Sequence, residues 1–443
     1  MKTNKQRHMI YAAKFDSERY WQPENVVTLP AIRNRNLENI VCAMDELLFA
    51  LCRGEEDVVL TGIPMNTVHQ KYLHELGFRF DNQSFEQEIE AKTCEYHAEN
   101  QKIEGLSKDA CFETYAVLPE YISFAKNNQI TYPCPAINVV KKVNSKIYST
   151  KLAKKLGFSE YAEIVTSEEE FMAAGKRLLN TKGGLIVKEE YGVSGKGNLK
   201  ITEEKTFQTI LRNISSQCKK GKEVRFILEP AFQVKTDFSV QYFIDPETGK
   251  AECLSVQQII NQERAYHGSV TADKELLQYL EGQGYFSVME RVMDALYKEG
   301  YFGDVCVDSM IIEPDVLVPI VEINARKSMS LIKKSLEESL EQMGYANEEV
   351  CTFYVDTIVS CDLTMEDVLE RMNSAGILFK KELKKGIIPL TSNTLFVNTR
   401  NKTGKNQKGR MYFLLTGTRE EVAVYREKVT KLCETFGEGK NEA

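Results

Sequence analysis

The sequence has 443 residues, 27% of them charged and 42% hydrophobic, with a formal charge of -7 and a pI near 5.6. That length accommodates two or three domains around a sizeable core, and the mild negative charge favours solubility while carrying no global signal for nucleic acid. No run approaches the roughly 18 apolar residues of a membrane span; the eleven cysteines, odd in number and without a leading signal peptide, are expected as mostly buried thiols in a reducing cytoplasm.

In chain order, Met9 to Ala12 reads as a short strand, and Leu37 to Leu51 carries a helical apolar stripe. Asp57 to Leu60 is a strand entering Thr61-Gly62, and Asn66 or Thr67 caps a helix ending before Gly77. This order predicts a small α/β domain over 1–140. Gly62-Ile63-Pro64 lacks the G-x-G-x-x-G spacing, so a nicotinamide-binding domain is not expected. His69 and His74 are five apart and lack the intervening glutamate of a zinc-hydrolase helix, so no metal is expected there. Glu86 to Asn100 suggests an exposed helix and Phe112 to Ala125 a more apolar segment, before Tyr132-Pro133-Cys134-Pro135 punctuates the chain.

A second unit is expected over 141–345. It starts with a helix at Lys146 to Leu156, a strand at Ala162 to Val165 and a helix at Ser167 to Leu179 opened by the capping pattern S-E-E-E. Thr181 to Thr202 is an apolar strand ending in Lys188, then a loop with Gly192, Gly195 and Gly197. Glycines let backbone N–H groups curl around an anion, and Ser194 and Lys196 add donors; the spacing is not that of a P-loop. A helix at Glu203 to Ile214 and a strand from Arg225 follow. Asp237, Ser239 and Gln241 then alternate with apolar residues along a strand, facing either a cleft or solvent. Tyr266 to Val270 and Asp273 to Tyr279 are expected at a cleft edge, where His267 reads as a solvated loop histidine or a cleft residue, before a helix at Val288 to Lys298.

The stretch YFGDVCVDSMIIEPDVLVPIVEINARKSMSL predicts strands at Gly303 to Ile312 and Leu317 to Ile323, then a helix. Asp308 lies on the first strand, and Glu322 and Asn324 share a face of the second. Three oxygen ligands of this kind suit Mg2+, which is commonly completed by substrate phosphates. Arg326 continues the alternation.

These two stretches, GLIVKEEYGVSGKGN and FGDVCVDSMII with VEINARKS, resemble the ATP-grasp superfamily, the resemblance running from about Asn144 to Leu336. It implies a multidomain α+β / α/β protein with a leading α/β domain, and an enzyme that uses ATP to phosphorylate a carboxylate before an amine or thiol attacks the acyl phosphate. The implied nucleotide lysines are Lys146 and Lys188. Asn144 and Ser145 stand where many relatives have an aspartate, so Lys141 and Lys151 stay open beside Lys146. VRFILEPAF is similar to the adenine hinge, with Glu229 near ribose or purine, and Asp237 falls on a strand that faces the nucleotide in relatives. Asp308, Glu322 and Asn324 fall on the magnesium positions, where Mn2+ is an acceptable substitute, and Arg326 on the arginine that steadies the transferred phosphoryl group.

The remainder, 346–443, reads as an α+β lobe with an antiparallel sheet: strands at Val350 to Ile358, Gly386 to Val397 and Met411 to Leu415, helices at Met365 to Met372 and Thr418 to Phe436, and a loop at Asn401 to Gly409. Between Lys380 and Arg410 lie nine lysines and arginines against one acid, Glu382, a local field suited to an anionic partner or simply a solvated hairpin. The arrangement resembles amino-acid and peptide ligases of natural-product pathways. That implies an amino acid or other small carboxylate, an amine nucleophile or the thiol of an acidic carrier protein, and relatives that are often homodimers. A non-catalytic ATP-binding regulator is the competing class, and it has no need of Arg326. No kinase motif is present.

Overall fold

The computed structural model describes residues 8–31, 33–85, 97–107, 109–158, 161–181, 183–192, 197–262, 265–400 and 404–438. Its strands form three sheets. The first is parallel, in the order β3-β2-β1-β4, with β1 at Met9–Ala12, β2 at Val58–Thr61, β3 at Asp81–Ser84 and β4 at Cys111–Thr114. Ile10, Ala12, Val59, Leu60 and Phe112 are buried, as parallel strands covered on both faces require. Asn66 caps the helix Thr67–Leu76 by accepting from the backbone of Val68 and His69.

Two expectations for this region are corrected. The stripe over 37–51 is a helix only at Arg35–Cys42 and continues as a 3-10 helix, Ala43–Leu51. Residues 43 to 50 are all buried, Asp45 and Glu46 included, so the segment is enclosed rather than half-exposed. The apolar segment 112–125 is β4 followed by the helix Pro119–Asn128, because proline suits a first helical turn and ends strand pairing. His69 and His74 bond to the carbonyls of Pro389 (2.9 Å) and Phe80 (3.0 Å). Most of the expected helix 86–100 lies outside the described residues.

The second sheet is antiparallel, β5-β8-β6-β7, with β5 at Glu163–Val165, β6 at Leu185–Glu189, β7 at Asn198–Ile201 and β8 at Phe226–Pro230. Helices Glu168–Leu179 and Glu204–Cys218 cover it, with Phe171 and Phe207 stacked at 5.8 Å.

The third sheet has eight strands in the order β13-β12-β9-β10-β11-β14-β16-β15. They are β9 Val234–Ile244, β10 Ala251–Gln262, β11 Ala265–Thr271, β12 Gly303–Ile312, β13 Val316–Asn324, β14 Glu349–Val359, β15 Gly386–Pro389 and β16 Gln407–Gly417. The C-terminal strands therefore extend the central sheet through the β11–β14 pairing instead of forming a sheet of their own. One face of the sheet packs on the helix Tyr285–Lys298, where Phe238 meets Tyr285 at 5.4 Å; the other carries the helix Met329–Gln342.

Three more local corrections follow from packing. The expected strand 386–397 stops at Pro389 and becomes the short helix Asn393–Phe396, whose start is held by Glu46: Oε1 accepts from the backbone of Ser392, Asn393 and Thr394 at 3.0, 2.7 and 3.2 Å. The loop expected over 401–409 already pairs in β16 from Gln407, while 401–403 lie outside the described residues. Asp273 caps a full helix, Lys274–Gly282. Among the described residues no helix is long and apolar enough to cross a membrane, and none of the ten described cysteines is disulfide-bonded.

Candidate functional site

The site begins at one rung of the β12–β13 ladder, where Asp308 stands opposite Glu322. The same face of the sheet continues across β9, since Asp308 also pairs with Ser239, and Cys306 with Gln241 and Asn324. Alternation thus collects Asp308, Glu322 and Asn324 on one surface. Asn324 Nδ2 donates to Asp308 Oδ2 at 2.8 Å, and Cys306 Sγ approaches Asp308 Oδ1 at 3.5 Å. Burial, reinforced by the neighbouring Glu322, pushes the Asp308 carboxyl up to about 7, while Arg326 and Lys146 pull it back.

Lys146 opens the helix Lys146–Lys155, capped by Ser145. Its Nζ donates to Glu322 Oε1 at 2.5 Å and to the Gly192 carbonyl at 3.0 Å, so it ties the glycine-rich turn to the carboxylate pair. Of the lysines left open in the sequence, Lys151 is exposed and Lys141 partly so, while Lys146 is buried. Asn144 clamps the start of this helix onto the end of β13, since its Oδ1 accepts from the Ala325 backbone at 2.9 Å and its Nδ2 donates to the Ala325 carbonyl at 3.2 Å. Ser145 Oγ donates to Glu190 Oε1 at 2.7 Å.

Arg326 leaves β13 in a tight turn. Its NH2 donates to Asn324 Oδ1 at 3.0 Å and to Glu18 Oε1 at 2.5 Å, its Nε to Glu18 Oε1 at 2.8 Å, and its NH1 to the Tyr115 hydroxyl at 3.0 Å. Burial opposes its charge, but Glu18 and Tyr115 more than offset this and raise its pKa.

Lys188 and Glu229 form a second pair at 2.7 Å across the β6–β8 ladder, both nearly buried; no described hydrogen bond joins this pair to the first group. The Gly192 to Gly197 turn lies partly outside the described residues, which takes Ser194, Gly195 and Lys196 with it. Its ends are close: Gly197 has φ +81°, and a Cβ there would meet Glu189 Oε2 at 2.9 Å and Gly192 Cα at 3.3 Å.

Of the alternating Asp237, Ser239 and Gln241, the last two are buried and do not face an open cleft. Asp237, partly exposed, has its Oδ2 accept from Asn261 at 2.5 Å, whereas Ser239 meets Ser330 at 3.0 Å and Gln241 accepts from Ser328 at 2.5 Å, because the helix Met329–Gln342 and its cap cover those two. His267 lies on β11 with its ring 4.7 Å from that of Tyr354, not in a solvated loop. The basic segment is partly neutralised: Lys385 pairs with Glu421 and Arg410 with Asp356. Lys380, Lys381 and Lys384 remain exposed around Leu383, itself 58% exposed.

Glu18 and Tyr115 were not singled out by sequence reasoning. Both follow parallel strands, and the carboxyl ends of such strands are where open α/β sheets place ligand-facing groups. That is the signal that marks FDSERY after β1.

Two carboxylates and an amide oxygen form a hard donor set that fits a divalent ion such as Mg2+.

No protein-family model matches the chain. Among solved structures, the biotin carboxylase domain of the Hydrogenobacter thermophilus 2-oxoglutarate carboxylase, in complex with MgADP, ADP and bicarbonate, is 14% identical; the alignment covers 95% of this chain and 89% of that one at a TM-score of 0.52. Campylobacter jejuni biotin carboxylase is 10% identical over 95% and 91% at 0.52, and the Aspergillus clavatus N5-carboxyaminoimidazole synthase 10% over 85% and 97% at 0.51. The chain has the ATP-grasp fold. In sequence it resembles the butirosin acyl-carrier protein–L-glutamate ligase of Niallia circulans, 26% identical over 234 residues, which is 50% of this chain and 53% of that protein. The chain thus matches about half the length of this relative.

Proposed function

We propose that the protein is an ATP-dependent ligase that activates a small carboxylate, an amino acid in the first instance, as an acyl phosphate and joins it to an amine. The observation that carries this reading is the convergence of Asp308, Glu322, Asn324, Lys146 and Arg326 on one surface. A carboxylate oxygen of the substrate attacks the γ-phosphorus of ATP, the bond from that phosphorus to the β–γ bridging oxygen breaks, and ADP leaves. The amine then attacks the acyl carbonyl, phosphate departs, and the amine gives up a proton. Lys146 and Lys188 hold the non-transferred phosphates as point charges. Arg326, whose five N–H groups are engaged by Glu18, Tyr115, Asn324 and the Lys327 carbonyl, acts on the transferred group and then the tetrahedral intermediate through its positive charge, so that catalysis is positioning plus charge neutralisation. Asp308, Glu322 and Asn324 would hold a divalent ion, which supplies charge neutralisation on the phosphate oxygens. Glu229 would serve the nucleotide's ribose or purine edge, and Gly192, Ser194, Gly195, Lys196 and Gly197 are the residues proposed to meet its phosphates.

A second reading has one specific support, the likeness to a carrier-protein ligase: the acyl group passes to the thiol of a phosphopantetheine arm on an acidic carrier, which the exposed Lys380, Lys381 and Lys384 would meet. A homodimer is proposed on the strength of the dimeric biotin carboxylase domain. The test is ADP release across an amino-acid panel with hydroxylamine trapping, run with and without a carrier protein. Turnover with small molecules alone supports the amide ligase, and turnover only with carrier supports the thioester reading. MgATP uptake without any ADP release across both arms rejects both in favour of a regulatory ATP-binding protein.

A further inference from the structure

The catalytic arginine is held by the N-terminal domain. Arg326 N bonds back to the Asn324 carbonyl at 2.9 Å, so the chain turns out of β13 just where the guanidinium must be aimed. Three of its contacts are made with its own strand end: Asn324 Oδ1, the Lys327 carbonyl at 3.0 Å, and that turn. The remaining side-chain contacts come from far away. Glu18, 308 residues distant, takes Nε and NH2 on the single oxygen Oε1; Tyr115, 211 residues distant, takes NH1 through its hydroxyl and lays its ring 5.3 Å from the guanidinium carbon. Glu18 is 3% exposed, and its second oxygen accepts from Ser17 Oγ at 3.2 Å. Both residues sit just beyond the carboxyl ends of β1 and β4, which are neighbours in the parallel sheet through the Ala12–Thr114 rung. The seam is pinned again one residue on, where Lys327 N donates to the Tyr115 carbonyl at 3.0 Å and Lys327 Nζ pairs with Glu113 at 2.9 Å and with Asp304.

We propose that Glu18 is a positioning residue for Arg326, assisted by Tyr115, so that the N-terminal domain completes the phosphoryl-transfer site. The inference rests on the reading of Arg326 given above. An arginine side chain has many rotamers, and a guanidinium aimed from one end only would sample several of them; a carboxylate that engages Nε and NH2 together selects one. Glu18 makes no contact with substrate in this scheme and acts only through the arginine.

The experiment uses the full chain as wild type and as Glu18→Gln, Glu18→Ala, Arg326→Lys and Glu18→Ala/Arg326→Lys, with MgATP and the amino acid giving the fastest ADP release in the panel above. Acyl phosphate is trapped with hydroxylamine, nucleotide binding is measured separately, and the thermal transition reports folding. Misplacement of a positioning group by about an ångström costs on the order of 100-fold, so Glu18→Ala lowers kcat by about that factor while KM for ATP and the nucleotide Kd stay within about twofold. The isosteric Glu18→Gln keeps the shape and recovers part of the rate. In the Arg326→Lys background Glu18→Ala adds little, because residues acting as a unit are not additive. A Glu18→Ala effect equally large in both backgrounds, or wild-type kcat in folded Glu18→Ala, overturns the proposal. Wild-type kcat in Arg326→Lys instead overturns the role of Arg326 itself, so the two failures are told apart. A crystal structure of Glu18→Ala gives a check independent of turnover: the Arg326 guanidinium is displaced from Asn324, and an unmoved guanidinium contradicts the inference.

Discussion

Lys146 illustrates what a single residue can and cannot reveal. As one lysine among four in KKVNSKIYSTK, it has no local mark of its role; it is selected by a 2.5 Å contact with Glu322, 176 residues away. Glu322 and Asn324 are different, because period-2 alternation along one strand places them on one face from the sequence alone, and the β12–β13 register then sets Asp308 opposite Glu322. Lys146→Ala removes the cation that bridges Glu322 and the Gly192 carbonyl. We expect it to weaken MgATP binding at least tenfold, roughly 1.4 kcal/mol, as measured by equilibrium dialysis, with Arg326→Ala sparing binding while abolishing the hydroxylamine-trapped product. Nucleotide affinity unchanged in Lys146→Ala would remove that residue from the phosphate site.

At the scale of elements, the β11–β14 pairing joins the central strands to the C-terminal ones, and Gly268 sits in it. A Cβ at Gly268 would lie 2.0 Å from the Thr352 carbonyl and 2.9 Å from Phe353 Cα, both backbone atoms that cannot step aside. Gly268→Ala should therefore lower the thermal transition by an overpacking cost of about 1–3 kcal/mol; a variant as stable as wild type would show that the two strands can separate freely. The start of the helix Asn393–Phe396 offers a pH-dependent counterpart. Burial raises the Glu46 carboxyl to about 7, against the lowering effect of its hydrogen bonds to Ser392, Thr394 and Asn393. The folded chain keeps this proton up to about pH 7, whereas the unfolded chain releases it near 4.5, so the contribution is complete below the lower value and is lost as pH rises through the upper one. A shift of this size amounts to on the order of 3 kcal/mol. Glu46→Gln should flatten the fall in thermal stability across this window, and an unchanged pH profile would place the dependence elsewhere. Neither element was readable beforehand: the strand pattern over 386–397 gives no sign that a carboxylate 346 residues away caps a helix inside it.

The whole molecule is bound more tightly than three domains in a row suggest. Leu47 and Leu48 from the first 140 residues, Leu336 from the middle and Phe379, Ile388, Tyr412 and Leu414 from the end belong to one apolar core. Removing residues 346–443 strips the partners from β11, takes the helix start from Glu46 and opens that core. The 1–345 fragment should lack a cooperative thermal transition and near-ultraviolet circular dichroism; a cooperative transition in the fragment would show the C-terminal strands to be dispensable. The same reasoning ties the N-terminal region to the end of β13 through the Glu18–Arg326 contact.

The sequence by itself determined that Glu322 and Asn324 share one face of a strand, that the helix ending before Gly77 is capped at Asn66 or Thr67, and the ATP-grasp resemblance, since each is written within a few residues by strand alternation, capping chemistry or motif. Only the tertiary structure decided that Lys146 reaches Glu322, that Glu18 and Tyr115 hold Arg326, that the face of Ser239 and Gln241 is covered by a helix, and that β14, β16 and β15 prolong the central sheet. The side-chain contacts among these join groups from 87 to 308 residues apart, made when apolar burial closes the core, and no local pattern encodes which partner a side chain meets across such a separation.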